Sequence, residues 1–331
     1  MSHRVMLRST LILATAVTGV FAATGGALAA TAPPSSVTVA ESTLPFASVV
    51  INPASTYAYF TVPSENEVAV LNLSTDQYGT PIPVGSDPQG IDITPNGKTL
   101  YVADSGGQTI SKVTIATSKV KTIITPAGGL SDTPYSIVVL NNGNALYSTT
   151  FAGSGFGANV YDLNLSTDAS TEVTSFGING EVTEVTQLSR SWNHKITGAV
   201  LGDDSGGPFD VYTAATGGVV SGSLNTFISY GSLNKAGTTF LIDGSYVIDA
   251  ATGSLLGTIS DDCAGAVLNA SGAGGYCLES NAIAALNVSS FETGASTALP
   301  AGTTGTGELA ISPNGDLLVG ITNDGAVIAT I

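Results

Sequence analysis

The segment that most constrains the fold of this chain is Pro88–Asp104, Pro-Gln-Gly-Ile-Asp-Ile-Thr-Pro-Asn-Gly-Lys-Thr-Leu-Tyr-Val-Ala-Asp. It reads as an apolar strand, a tight turn and a second apolar strand, because Asn96-Gly97 supplies the positive φ angles of a short hairpin. A third strand follows at 110–115, then a small polar turn at Ala116-Thr117-Ser118, then a fourth strand at 120–124. Four short antiparallel strands in some 45 residues make one blade of a β-propeller.

The unit recurs. Aligned on Pro95, the equivalent positions are Pro53, Pro95, Asn141, Ser189, Asn234, Asn269 and Pro313, in steps of 42, 46, 48, 45, 35 and 44 residues. The placements at Ser189 and Asn234 need gaps. Third strands recur independently at 68–73, 110–115, 160–165, 209–212, 246–248, 283–288 and 327–331, and the first six lead into small polar turns. Both anchors count to seven. The expected fold is therefore all-β, a seven-bladed β-propeller of four-stranded blades. The blades span about 46–84, 85–129, 130–176, 177–224, 225–259, 260–299 and 300–331. The last unit stops after its third strand, and the strand at 36–40 is predicted to serve as its missing outer strand, so that the last blade is closed by the N-terminal strand at 36–44. Composition agrees: 40 glycines and only 10% charged residues suit strands joined by tight loops, and no sustained helical period runs through the chain.

The unit from Pro88 to Ile124 resembles the YVTN-type β-propeller repeat through Pro88, Gly90, Pro95, Asn96, Gly97, Tyr101 and Val102. Ile311-Ser312-Pro313-Asn314-Gly315 is a second match, and the blades from about 177 to 299 diverge. The resemblance implies a secreted bacterial seven-bladed propeller, lactonase-like or surface-protein-like. That fold hosts surface proteins, sugar lactonases and dehydrogenase subunits, so it does not select among functions.

Residues 1–29 read as a signal peptide: Arg4 and Arg8, a short apolar run from Leu11 to Ala23, and the small-x-small site Ala27-Leu28-Ala29. Residues 30–331 form the propeller, and no later stretch resembles a transmembrane segment. The expected product is secreted or surface-associated. Without Arg4 and Arg8 the chain carries 7 basic against 25 acidic residues, a net charge of −18. Such a charge repels nucleic-acid phosphate and anionic membrane surfaces. The two cysteines, Cys263 and Cys277, are expected to pair in an exported chain. A regular hairpin would set Cys277 opposite Ala266, so the bridge requires Cys263 to lie in a loop that curls back.

Sorting charges by blade face gives an asymmetry. Lys98, Arg190, Lys195 and Lys235 fall in turns between first and second strands. The lead-in loops and the loops between second and third strands collect acids instead: Asp87, Asp132, Glu181, Asp261 and Asp262 from the former, Asp104 and the Asp203-Asp204 pair from the latter. An acidic rim at the channel mouth could hold a cation such as calcium, which takes several oxygen ligands; a solvated rim is what the net charge alone produces. His194 is the one histidine after the leader, in a turn on the basic face, and reads as a surface residue. No catalytic constellation stands out. Three readings follow. The first is a binding or interaction protein for a protein, glycan or small-molecule ligand. The second is a metal-dependent lactonase or lyase using the acidic rim. The third is a dehydrogenase subunit whose cofactor resides on a partner. The lactonase reading requires three or four rim side chains to converge on one cation position.

Overall fold

The computed structural model describes residues 31–126, 132–150, 156–202 and 204–331. The leader at 1–29, Asp203 and the glycine-rich stretch Gly153-Ser154-Gly155 lie outside the described residues.

Seven small antiparallel sheets form a seven-bladed β-propeller. From the axis outward, blade 1 is Val49–Ile51, Tyr57–Val62, Glu67–Asn72 and Gln77–Tyr78, with Ile82–Pro83 also paired to its third strand. Blade 2 is Pro88–Ile93, Thr99–Asp104, Thr109–Thr114 and Lys119–Ile124; blade 3 is Pro134–Val139, Asn144–Thr149, Val160–Asn164 and Ala169–Glu172. Blade 4 is Gln187–Arg190, Ile196–Val200, Pro208–Thr213 and Gly218–Ser223; blade 5 is Gly231–Leu233, Thr239–Ile242, Tyr246–Asp249 and Ser254–Thr258. Blade 6 is Gly265–Leu268, Gly275–Leu278, Ala282–Asn287 and Glu292–Ala298. Blade 7 is Gly305–Ile311, Leu317–Thr322 and Gly325–Thr330, and its outer strand is the N-terminal Ser36–Glu41, paired in register from Ser36 with Thr330 to Glu41 with Gly325.

The apolar runs follow from the stacking. Side chains of a strand alternate between its two faces, and each blade is covered on both. Leu100 and Val102 enter the core shared with blade 1, while Tyr101 and Ala103 enter the core shared with blade 3. One such cluster fills each of the seven blade interfaces, including that between blades 7 and 1, where Val319, Ile321 and Ile328 meet Ile51, Phe60 and Leu71. Near the axis the blades crowd together. A Cβ on Gly90 would lie 2.8 Å from the Cα of Ser136 and 2.9 Å from the nitrogen of Ile137 on the next inner strand. That close approach is the physical reason for the glycine in the Pro-x-Gly start.

The turns between first and second strands share one feature, a left-handed residue. It is Ser55, Gly97, Gly143, His194, Gly237, Gly272 and Gly315 in blades 1 to 7, with φ between 55° and 89°. This corrects three anchors read from the sequence. The blade 4 turn lies three residues beyond the one centred on Ser189, and those of blades 5 and 6 lie one residue beyond the Asn234 and Asn269 placements. In blade 4 the left-handed position is held by a histidine, so the Asn-Gly signal is missing there.

Cys263 and Cys277 form a disulfide, with sulfurs 2.04 Å apart. Ala266, as the hairpin register requires, is the partner of Cys277. Cys263 sits before the strand, and the bridge ties the lead-in loop of blade 6 back onto its second strand.

Ring closure can be tested by position. The Ser42 N–H donates to the Asp324 carbonyl at 2.8 Å. Hydrogen-bonded pairs alternate along an antiparallel ladder, so Ala40 and Thr38 share the phase of Ser42, and Val39 directs its N–H outward. Thr38→Pro should therefore cost about 3 kcal/mol, and Val39→Pro much less. Denaturant melts should separate the two, with Thr38→Ala correcting for the hydrogen bond from the Thr38 hydroxyl to Asp76. Equal losses from both prolines would mean that closure does not rest on this ladder.

Candidate functional site: the central channel

The seven inner strands enclose a cavity of about 810 Å³ along the propeller axis. Its wall is mixed, only somewhat more apolar than polar, with Val50, Ile137, Leu188 and Leu309 among its apolar side chains. The charged and aromatic polar groups in it set the chemistry.

The first group is built on Asp92, a carboxylate in the middle of an apolar inner strand and almost fully buried. Arg190, at the end of the blade 4 inner strand, reaches past blade 3 and grips it with two bonds, Nε to Oδ2 at 2.6 Å and Nη2 to Oδ1 at 2.8 Å. The main-chain nitrogens of Ile93 and Val139 donate to the same carboxylate at 2.8 and 2.7 Å. Asp92 thus joins blades 2, 3 and 4, and its charge is matched. Removing either ionic partner would strand the other in a poorly solvated place.

His194 stands beside this pair. The surface position read from the sequence is corrected: the ring is buried, and its Nδ1 lies 2.7 Å from the Val139 carbonyl. A carbonyl only accepts, so Nδ1 carries the proton and Nε2 the lone pair. Burial, aided by the Arg190 charge, holds the imidazole below its ordinary range, and the ring is neutral at pH 7. Trp192, two residues earlier, also lines the cavity.

The second group is Glu308, on the inner strand of blade 7. Its Oε2 accepts from the Ser48 hydroxyl and the Val49 nitrogen, both at 2.7 Å. The side chain is exposed and lines the channel. Desolvation in the channel, with the charge of Asp92 adding to it, pushes the carboxyl upward against the two hydrogen bonds. Tyr135 of blade 3 faces it: burial raises the phenol, and the Glu308 charge raises it further.

The acids predicted for the rim are held separately. Asp87 sits in a left-handed turn and accepts from Gln89 at 2.9 Å. Asp132 is buried against the Thr149 hydroxyl at 3.4 Å. Glu181 closes a tight turn with Ile178. Asp104 is fully buried at the end of a second strand, where its Oδ2 accepts from Ser111 and Thr109 and its Oδ1 has no partner. Asp261 accepts from Thr293 at 3.2 Å, and Asp262 is exposed beside it. Among the described residues, one group of three potential metal ligands comes within reach of a common point, namely Asp261, Cys263 and Cys277. The two sulfurs there are consumed by the disulfide.

Asp104 offers a pH test. Burial pushes its carboxyl up to about 6 from 3.8, opposed by the Ser111 and Thr109 hydroxyls. The folded chain therefore holds this proton more tightly than the unfolded chain does. The destabilisation is absent below about pH 3.8, grows as pH rises, and is complete above about pH 6. Asp104→Asn should be more stable than the native chain at pH 7.5, by up to about 3 kcal/mol, and the gain should vanish near pH 4. Denaturation curves at several pH values measure it; a gain that does not change with pH would refute the assignment.

No protein-family model and no curated protein matches the chain. A solved structure of hydrazine synthase from Kuenenia stuttgartiensis superposes with a TM-score of 0.69 over 88% of this chain and 97% of that one, at 13% identity. Identity that low carries the propeller fold and no chemistry.

Proposed function

We propose that this protein is an exported binding propeller whose ligand occupies the central channel. One observation carries the reading. The cavity is of the size used for small molecules, with a mixed wall somewhat more apolar than polar and with ionisable groups converging on it. Asp92 and Arg190 preorganise one part of that wall and Glu308 another, so the site is stiff before any ligand arrives. Binding is favoured over catalysis by the state of the one described histidine. Its Nδ1 is spent on a main-chain carbonyl, and no carboxylate orients it as in a hydrolase triad.

The repeat chemistry at Pro88–Val102 and at Ile311–Gly315 supports a place among YVTN-type propellers. The leader-like residues 1–29 and the Cys263–Cys277 bridge support export, since such bridges persist in oxidising compartments. No helix among the described residues is long and apolar enough to cross a membrane.

Two measurements test the reading. Ligand-observed NMR with a library of small molecules should find binders to the native chain, and Ser189→Phe, which places a ring in the channel, should lose them while keeping its fold. Binders that persist in that variant would place the site elsewhere. N-terminal sequencing of the protein from its source should begin at Ala30; an intact Met1 would remove the export reading.

A further inference from the structure

We propose that the channel ligand is a small organic cation, its ammonium or guanidinium seated on Glu308 and its apolar body on the surrounding wall. This rests on the channel-binding reading above and names its ligand class.

The argument is a charge inventory of the channel. The ionisable groups facing Glu308 or lining the same cavity are Asp92 from blade 2, Tyr135 from blade 3, Arg190 and His194 from blade 4, and Tyr230 from blade 5. Asp92 and Arg190 neutralise one another through two hydrogen bonds. His194 is neutral, and burial lifts both phenols above their ordinary range, so neither is charged near pH 7. Blade 1 contributes only the Ser48 hydroxyl and the Val49 nitrogen. Glu308 is then the one acid in the cavity without a cationic partner, since among the described residues no lysine or arginine lies within ion-pairing distance of it.

Its hydrogen bonding is half used. A carboxylate has about four acceptor positions; Ser48 and Val49 take two, both on Oε2, and among the described residues none is taken on Oε1. A donor of positive charge completes it. Anions are disfavoured by Glu308 and by the net charge of −16 on the whole chain. A hard divalent ion wants several carboxylate or carbonyl oxygens at once, whereas Glu308 is the one carboxyl lining the cavity that is not paired with a cation, Asp92 being held by Arg190. An ammonium or guanidinium asks for one carboxylate, and the phenol ring of Tyr135 opposite can face its charge. The wall and the volume of about 810 Å³ suit the carbon skeleton attached to it.

Calorimetry on the full secreted chain tests this with phenethylammonium, hexylammonium and benzamidinium, their neutral counterparts 2-phenylethanol, hexanol and benzamide, the anion 3-phenylpropionate, and calcium chloride at matched ionic strength. At least one cation should bind about tenfold or more tightly than its neutral counterpart, as a charge-assisted hydrogen bond implies. Binding should strengthen from pH 4 to 8 with release of a proton, because the ligand favours the ionised carboxyl. Glu308→Gln retains an acceptor for Ser48 and Val49 and should erase the preference for cations. Should that variant misfold, pH dependence and proton release in the native chain decide. Cations and neutral counterparts binding equally, with both lost in Ser189→Phe, would overturn the cation and leave the channel site standing. Binding unaffected by Ser189→Phe, or none by any compound, would overturn both. Displacement of the organic cations by calcium at matched ionic strength would make the ligand an inorganic ion and overturn the proposal.

Discussion

The pairing of Ser36–Glu41 with Gly325–Thr330 is the interaction on which the rest of this molecule depends. A propeller is a ring of sheets, and a ring with an open joint exposes two blade faces and a row of unpaired backbone groups. Here the joint lies inside a blade, where antiparallel main-chain hydrogen bonds hold the two ends of the ring. The apolar cluster between blades 7 and 1 then forms like the other six, with Phe60 and Leu71 packed on Val319 and Ile328. Closure also fixes the distance between opposite inner strands, and so makes the channel a cavity of definite size.

Within that ring the inner strands do two jobs under one steric limit. They approach closely enough that Gly90 has no room for a Cβ, and Gly265 meets the Gly307 carbonyl in the same way. The polar side chains placed there are held chiefly by the neighbouring blades. Asp92 receives Val139 of the next blade and Arg190 of the one after. Glu308 receives Ser48 and Val49 across the closing interface. The difference between them is compensation: Asp92 is matched by Arg190, whereas Glu308 lines the open channel with no cationic partner among the described residues.

Much of the fold was legible because its signals are local. Pro88–Asp104 states a hairpin in its own residues: Gly97 is left-handed, and Leu100 to Ala103 alternate between two buried interfaces. Legibility failed where one residue type replaced another in the same conformation. In blade 4 the left-handed position belongs to His194, with φ of 58°, so the turn carried no Asn-Gly mark and was displaced by three residues. The same histidine read as a surface residue because it lies in a turn on the basic face; its contact with Val139 lies on another blade. A weak signal for the channel groups was present. Asp92 interrupts Ile91 and Ile93, and Glu308 precedes Leu309-Ala310-Ile311, so each is a charge inside an inner strand, where burial demands a reason.

The sequence by itself determined the number of blades, their strand order and the use of the N-terminal strand for closure. Those properties follow from periodic apolar pattern and turn chemistry, which depend on residues a few positions apart. Cys263 and Cys277 belong to the same class, being separated by 14 residues around one hairpin. Only the tertiary structure decided which charges meet. Asp92 and Arg190 are 98 residues apart, and Ser48 and Glu308 are 260 apart. Their encounter is set by the rotation from blade to blade around a closed ring, which brings inner strands from distant parts of the chain onto one axis. The acids predicted for the rim share a loop class, but each is held by partners of its own. The charged groups that converge, Asp92, Arg190 and Glu308, come from the inner strands, which border the axis.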